Sequence, residues 1–227
     1  MIGPDTPAFK ECLRVLLGRE PDELLKPALP FSVIATNGDS RALVLLGVRF
    51  DMVSKAGKPF SVVHYADTLR HPEKAALPPG AARFVCAEAL YTDLVLRRAN
   101  EIDRRGPMNL ETLRSVRKIR ASLDCAAFDD GEFAGPDTLG AFERFEQERM
   151  AEMALIEQVL QPGCAVEALL DQTMEIPATA KKDRGNIARR VLARRLSEAL
   201  AEGGPEALAA SARQHRPRMV LRRAPLL

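Results

Sequence analysis

The chain has 227 residues, of which 46% are hydrophobic and 28% are charged; this balance is typical of a globular protein with one large domain or two small ones. The sequence contains no Trp and only two Tyr, which argues against a surface that stacks bases or sugars. The formal net charge is +2, and no apolar run approaches the roughly 18 residues that a membrane-spanning helix needs.

Residues 1–30 predict a helical segment. Thr6 is a suitable N-cap, Pro7 fits the first helical position, and Gly18 fits the end of a helix over residues 6–18. The first residues lack a basic stretch followed by an apolar one, so the sequence predicts no signal peptide and a cytoplasmic location.

Residues 31–100 predict an antiparallel β module. Strand-like alternation occurs over 31–36, 42–53 and 60–67, and one or two further strands are expected over 77–98. In the strand 42–53 both alternating sets of side chains are apolar at the start, but only one set is apolar at the end. We therefore expect this strand to be covered on both faces at first and solvated on one face later.

The turns of this β module resemble those of many small bacterial immunoglobulin-like modules. The similarity rests on a strand that ends at Asp51, a turn with Ala-Gly-Lys-Pro at 56–59, and a Leu-Pro-Pro-Gly turn at 77–80. The resemblance implies a small β-sandwich. It implies no activity, because the shared features are turn residues and not the residues of a site.

Residues 107–227 predict a helical module with a basic tail. Asn109 and Asp137 are suitable caps for the first two helices. Apolar residues recur at helical spacing over 109–123, 138–160, 165–170 and 184–202, and a last helix is expected from Pro205 to Arg213.

The predicted fold is therefore α+β, with an antiparallel β-sheet or a small immunoglobulin-like sandwich followed by a helical C-terminal half. The sequence divides into segments 1–30, 31–100 and 107–227, and leaves open whether these form separate domains or one compact domain.

The four cysteines predict free thiols. Cys12, Cys86, Cys125 and Cys164 are far apart in the sequence and lack the Cys-x-x-Cys or Cys/His spacing of zinc sites. Mostly buried thiols in a reducing cytoplasm are the expectation. The sequence predicts no cofactor and no bound metal.

A polar cluster at His64, Tyr65, Asp67 and His71 is the one candidate for an enzyme site. Strand alternation sends His64 and Asp67 to opposite faces, and a metal site would need the loop that carries His71 to fold back onto the strand. The chain also has no G-x-S-x-G elbow and no phosphate-binding glycine motif. A non-enzymatic protein is therefore favoured.

The C-terminal region carries the strongest charge asymmetry. From residue 181 to the end, twelve Lys and Arg accompany four Asp and Glu. A helix over 184–202 would bury one apolar face and present basic residues outside. The candidate binding residues, for a protein partner or for nucleic acid, are Arg190, Arg194, Arg216, Arg218, Arg222 and Arg223.

The leading hypothesis is a non-enzymatic, cytoplasmic interaction or assembly module that contacts protein partners, or a second copy of itself, through a sheet edge and the basic C-terminus. The first alternative is a nucleic-acid-binding protein that uses residues 181–223. The second alternative is an enzyme with a site around His64 and His71. The sequence predicts no membrane partner.

Overall fold

The structure is a computed structural model that describes residues 1–23, 25–68, 76–88, 111–177, 183–215 and 220–224. Helices and two sheets are mixed along the chain, so the fold is α+β. The chain forms two compact units: one comprises Met1–Thr68, Ala75–Asp130 and Ala134–Pro136, and the other comprises Leu69–Lys74, Gly131–Phe133 and Asp137–Leu227. None of the described helices is long and apolar enough to cross a bilayer.

The first unit begins with helix α1, Pro7–Leu17, as the sequence predicts. The Thr6 hydroxyl accepts the backbone N–H of Phe9 at 3.2 Å, and Gly18 ends the helix with a φ of 68°, a conformation that glycine adopts without steric cost. Phe9 and Leu13 are buried. A 3₁₀ helix, Lys26–Phe31, follows and leads into the first strand.

Two sheets of the first unit contribute to one apolar core. Strand β1, Ser32–Thr36, pairs antiparallel with β4, Ala82–Cys86. Strand β2, Leu43–Ser54, pairs antiparallel with β3, Pro59–Asp67, and with β5, Val116–Phe128. The fully buried side chains of the shared core include Phe9, Ile34, Val48, Phe50, Phe84 and Cys86.

Strand β2 confirms the predicted change of environment along its length. Its first six residues are buried, whereas Arg49, Asp51, Val53 and Ser54 are partly exposed. The turn to β3 contains Gly57 with a φ of 78°, which a side chain would strain.

The helix predicted over residues 109–123 is wrong. Only Glu111–Arg114 forms a helical turn, α2, and β5 starts at Val116. From there Ile119, Ala121 and Leu123 alternate with polar residues and pair with β2. The ladder with β2 satisfies the backbone of both strands and outweighs the helix propensity of Lys, Arg and Ala in this stretch.

The described residues of the second unit form three helices around an apolar core of their own. They are α3, Ala141–Val159; α4, Val166–Glu175; and α5, Arg184–His215. Leu155, Ile156, Leu170, Leu192 and Leu196 are among the buried residues that form this core. The short strand β6, Glu132–Ala134, pairs its first two residues in parallel with β7, Arg222–Arg223.

Helix α5 consists of two helical stretches joined by a kink. The backbone leaves helical geometry at Gly203 and Gly204, and Pro205 follows. Proline fits the first turn of a new helix because its missing N–H is not needed there. The two stretches match the separate helices that the sequence predicts over 184–202 and from Pro205.

None of the four cysteines forms a disulfide bond in the structure. Cys86 and Cys125 are buried, whereas Cys12 and Cys164 are partly exposed. Burial raises the pKa of the Cys86 thiol, so this side chain stays protonated and behaves as a small apolar group.

Candidate functional site

His64 and Asp67 lie on opposite faces of strand β3, as the alternation predicts. His64 is paired with Val48, whose side chain is in the core, and Asp67 is paired with Leu45. The His64 Nε2–H donates to the carbonyl oxygen of Ala87 at 2.5 Å, and the ring packs edge-on against Phe50. His64 therefore has a structural role between strand β3 and the end of β4.

Tyr65 packs over Gly47 on the other face of the sheet. A Cβ atom on Gly47 would lie 3.1 Å from Tyr65 Cε1 and 2.6 Å from Cys125 Sγ, so only glycine fits here. Asp67, on the same face as Tyr65, is 6% exposed. His71, the fourth residue of the predicted cluster, lies outside the described residues. The described residues of the cluster thus divide between two faces and do not converge on one site.

Strand β3 forms the end of its sheet within the described part of the chain. It pairs with β2 through nine consecutive residue pairs without a register shift. It carries no charged side chain between Pro59 and Ala66. Natural edge strands are usually protected by lysines, central prolines or bulges. Here a proline stands only at the first position, so the edge is suited to pairing with another strand.

Arg223 makes internal contacts in the second unit. Its guanidinium donates to Asp137 at 3.0 Å and to Glu143 at 2.6 Å, and it lies 4.7 Å from the ring centroid of Phe142. The hydrogen bond from Arg223 lowers the pKa of the Glu143 carboxyl. This arginine joins the C-terminal strand to the start of α3, which gives it a structural role.

The other predicted basic residues fall into three groups. Arg190 and Arg194 lie on α5 on either side of Val191, which is 51% exposed. Arg222 is exposed, and its backbone N–H donates to the carbonyl of Gly131 at 2.8 Å. Arg216 and Arg218 lie outside the described residues. The surface around Arg190, Val191 and Arg194 thus combines basic and apolar groups.

A second basic surface was missed at the sequence level. Arg49 on β2 is paired with Ser122 on β5, and the next pairs on the same face are Asp51 with Arg120 and Val53 with Lys118. We call Arg49, Lys118 and Arg120 the basic sheet face. In the sequence, Lys118 and Arg120 alternate with apolar residues, which is the pattern of one face of a strand. The predicted helix placed these two side chains on different sides of the helix, so no common basic surface was expected.

One carboxylate organises this basic sheet face. Arg49 Nε donates to Asp51 Oδ1 at 2.8 Å, and the Ser61 hydroxyl donates to the same oxygen at 2.5 Å. These hydrogen bonds, that of Ser61 first and that of Arg49 second, lower the pKa of the Asp51 carboxyl. Arg49 is therefore held in one orientation on a rigid strand.

No protein-family model, curated protein or solved structure matches this chain. Two features of the first unit stand out as candidate binding surfaces: the uncharged edge of β3 and the basic sheet face.

Proposed function

We propose that this protein is a non-enzymatic assembly module that associates with a second copy of itself by pairing the edges of two β3 strands. The observation that carries the proposal is the edge of β3, which presents nine residues in regular register and no charge before Asp67. An exposed, regular strand edge is a template for strand addition. The proposal keeps a small immunoglobulin-like sandwich as the scaffold and a helical C-terminal half.

A second copy is a better occupant of this edge than an unrelated peptide. A symmetric antiparallel pair places Val63, the middle residue of β3, opposite itself. No like charges then oppose each other between Pro59 and Ala66. Strand β3 itself carries no charged side chain before Asp67 that would select a foreign strand, and Arg49 and Asp51 on the neighbouring strand pair with each other.

The basic C-terminal residues supply a second contact in the proposal. Arg190 and Arg194 form no ion pair among the described residues, and arginine is common in protein interfaces. Glu157, Glu167, Asp171 and Glu175 are exposed on α3 and α4 and offer opposite charge on a second copy.

The alternative of nucleic-acid binding through residues 181–223 has weaker support, because Arg223 is engaged by Asp137 and Glu143. The enzyme alternative has weaker support still, because His64 and Asp67 face opposite ways and His64 bonds to a backbone carbonyl.

Val63→Glu tests the proposal. In the monomer the new carboxylate lies opposite Arg49, which favours folding of the variant. In the symmetric pair two glutamates oppose each other, so we expect dimer affinity to fall by about tenfold or more. Sedimentation equilibrium of the full chain measures the affinity, and a thermal melt confirms folding.

The matched control is Ala56→Glu, which adds the same charge at an exposed position in the β2–β3 turn. It should leave the dimer intact. A wild-type chain that stays monomeric at about 100 μM, where even weak specific pairs associate, would overturn the proposal. Equal dissociation of both variants would do the same.

A further inference from the structure

The basic sheet face concentrates positive charge on a rigid element of the first unit. Lys118 and Arg120 project from one face of β5, about 7 Å apart along the strand, and Arg49 lies on the adjacent strand. Lys55 and Lys58 are exposed in the turn at the same end of β2. The backbone N–H of Lys55 donates to Ser115 at 2.6 Å, which ties this turn to the start of β5.

These cations are poorly compensated within the described residues. Asp51 is the one carboxylate in the rows that hold Arg49, Arg120 and Lys118, and it accepts hydrogen bonds from Ser61 and Arg49. Asp67 lies two rows beyond Arg49 and is 6% exposed. Lys55, Lys58 and Lys118 form no ion pair among the described residues, and Arg120 acts on Asp51 only at longer range. Five cations thus share one carboxylate, and the local potential is positive.

The groups on this face suit phosphate oxygens. Arginine binds phosphate through two parallel N–H donors, and lysine binds it as a point charge. Ser61 and Ser122 place hydroxyl groups in the same rows, and serine hydroxyls commonly contact the sugar–phosphate backbone. The strands fix the positions of all these groups before a ligand arrives, which reduces the entropy lost on binding.

The composition of the face distinguishes between classes of polyanion. A protein partner needs a buried apolar or aromatic anchor, whereas the valines in the rows of the basic sheet face, Val53 and Val63, are small and only partly exposed. Leu123, which is 44% exposed, is paired with Val48 in the adjacent row. Single-stranded nucleic acid needs stacking rings, and Tyr65 on this face is packed over Gly47. The backbone of a duplex needs neither an anchor nor a ring.

We propose that the basic sheet face binds the phosphate backbone of duplex nucleic acid without reading its sequence. This inference does not depend on the pairing of β3 strands and places nucleic-acid contact in the first unit rather than in residues 181–223. With about three to five phosphates neutralised, the logarithm of the binding constant falls with the logarithm of salt concentration with a slope of about −3 to −4.5.

Fluorescence anisotropy of the full chain with a labelled DNA duplex, at several salt concentrations, tests the inference. Arg120→Glu should weaken binding by about tenfold and reduce the salt slope by about 1 to 2. Lys10→Glu is the matched control, because Lys10 is exposed on α1 and α1 packs on β1 and β4. It should change affinity by less than about twofold.

Asp51→Asn separates a binding role from a structural one. Asparagine keeps an oxygen that accepts from Ser61 and Arg49 but removes the negative charge beside Arg49. We expect duplex affinity to rise by about threefold to tenfold at low salt, although the fold loses a charge-assisted contact. A merely structural role for Asp51 would lower affinity or leave it unchanged.

Three outcomes would overturn the inference. The first is the absence of duplex binding at about 50 mM salt, where phosphate contacts are strong. The second is loss of binding in Arg194→Glu but not in Arg120→Glu, which would assign the interface to α5. The third is equal affinity for a poly-glutamate peptide, which would show a surface for acidic protein.

Discussion

Asp137 performs two tasks with one carboxylate. Its oxygens accept the backbone N–H groups of Ala141 and Phe142 at the start of α3, and one of them also accepts Arg223. The residue has a φ of 51° and is 8% exposed. Helix capping and the ion pair therefore depend on the same buried group, and the sequence predicts only the first of them.

Replacing Asp137 separates the two contributions. Asp137→Ala removes the cap and the partner of Arg223, and it also strains the positive φ, so we expect a loss of about 2–4 kcal/mol in the free energy of unfolding. Asp137→Asn keeps an acceptor and tolerates this φ, so its loss should be about 1 kcal/mol. Urea denaturation measures both. Equal losses would show that only the charge matters.

Elements built from local patterns are the ones that the sequence predicts well. The cap at Thr6, the turn at Gly57 and the break at Pro205 are local features, and the structure places an element boundary at each of them. The burial of β2 on both faces follows from its own composition. Such features need no knowledge of distant partners.

The sequence does not predict the elements that depend on partners far along the chain. Residues 116–123 have the composition of a helix and become a strand because β2 offers a long pairing edge. Arg223 meets Glu143 across 80 residues and Asp137 across 86, a pairing that no spacing rule reveals. The basic sheet face exists only once β5 is a strand, so it was missed for the same reason.

The kink in α5 gives a prediction about a whole element. Gly204 has a φ of 68° and a ψ of −161°, a conformation available essentially to glycine alone. Nothing lies within 4 Å of a Cβ built there, so the cost of a side chain is conformational. We expect Gly204→Ala to lower the free energy of unfolding by about 2–3 kcal/mol.

Gly18→Ala is the matched control for this substitution. Gly18 has a similar φ of 68° but a ψ of 9°, which other residues adopt at a cost of about 1 kcal/mol. Urea denaturation of both variants should therefore rank Gly204→Ala as the more damaging change. The reverse ranking would contradict the view that the backbone conformation at the kink is fixed by glycine.

The charges of the whole molecule set its response to acid. Hydrogen bonds from the side chain and then the backbone of Arg41 lower the pKa of Asp39 to about 2. The pKa values of Asp51 and Glu143 are lowered by their hydrogen-bonding partners as well. Each of these three carboxyl groups releases its proton more readily in the folded protein than in the unfolded chain, where aspartates have a pKa of about 3.9 and glutamates a pKa of about 4.3.

The direction of the pH dependence follows from this difference. A lowered pKa in the folded state contributes stability that is complete above the unfolded pKa and is lost as the pH falls through the folded pKa. These groups should therefore have little effect on the free energy of unfolding between pH 7 and about pH 4.5. Below about pH 4.5 the free energy of unfolding should fall as the pH approaches about 2. Salt at about 1 M should reduce the fall, because these carboxylates are exposed and screened.

Arg41→Gln tests the largest of these contributions. Arg41 pairs with Asp39 at 3.0 Å and with Asp130 at 2.9 Å, and glutamine removes the positive charge while keeping a polar side chain. The pKa of Asp39 should then return towards its ordinary value, so the variant should lose less stability than wild type between pH 4.5 and pH 2. Lys10→Gln, at an exposed position on α1, serves as the control and should follow wild type. Urea denaturation midpoints at about pH 4.5 and at about pH 2 measure this difference. If Arg41→Gln loses as much stability as wild type over this range, other carboxylates dominate the acid sensitivity of the molecule.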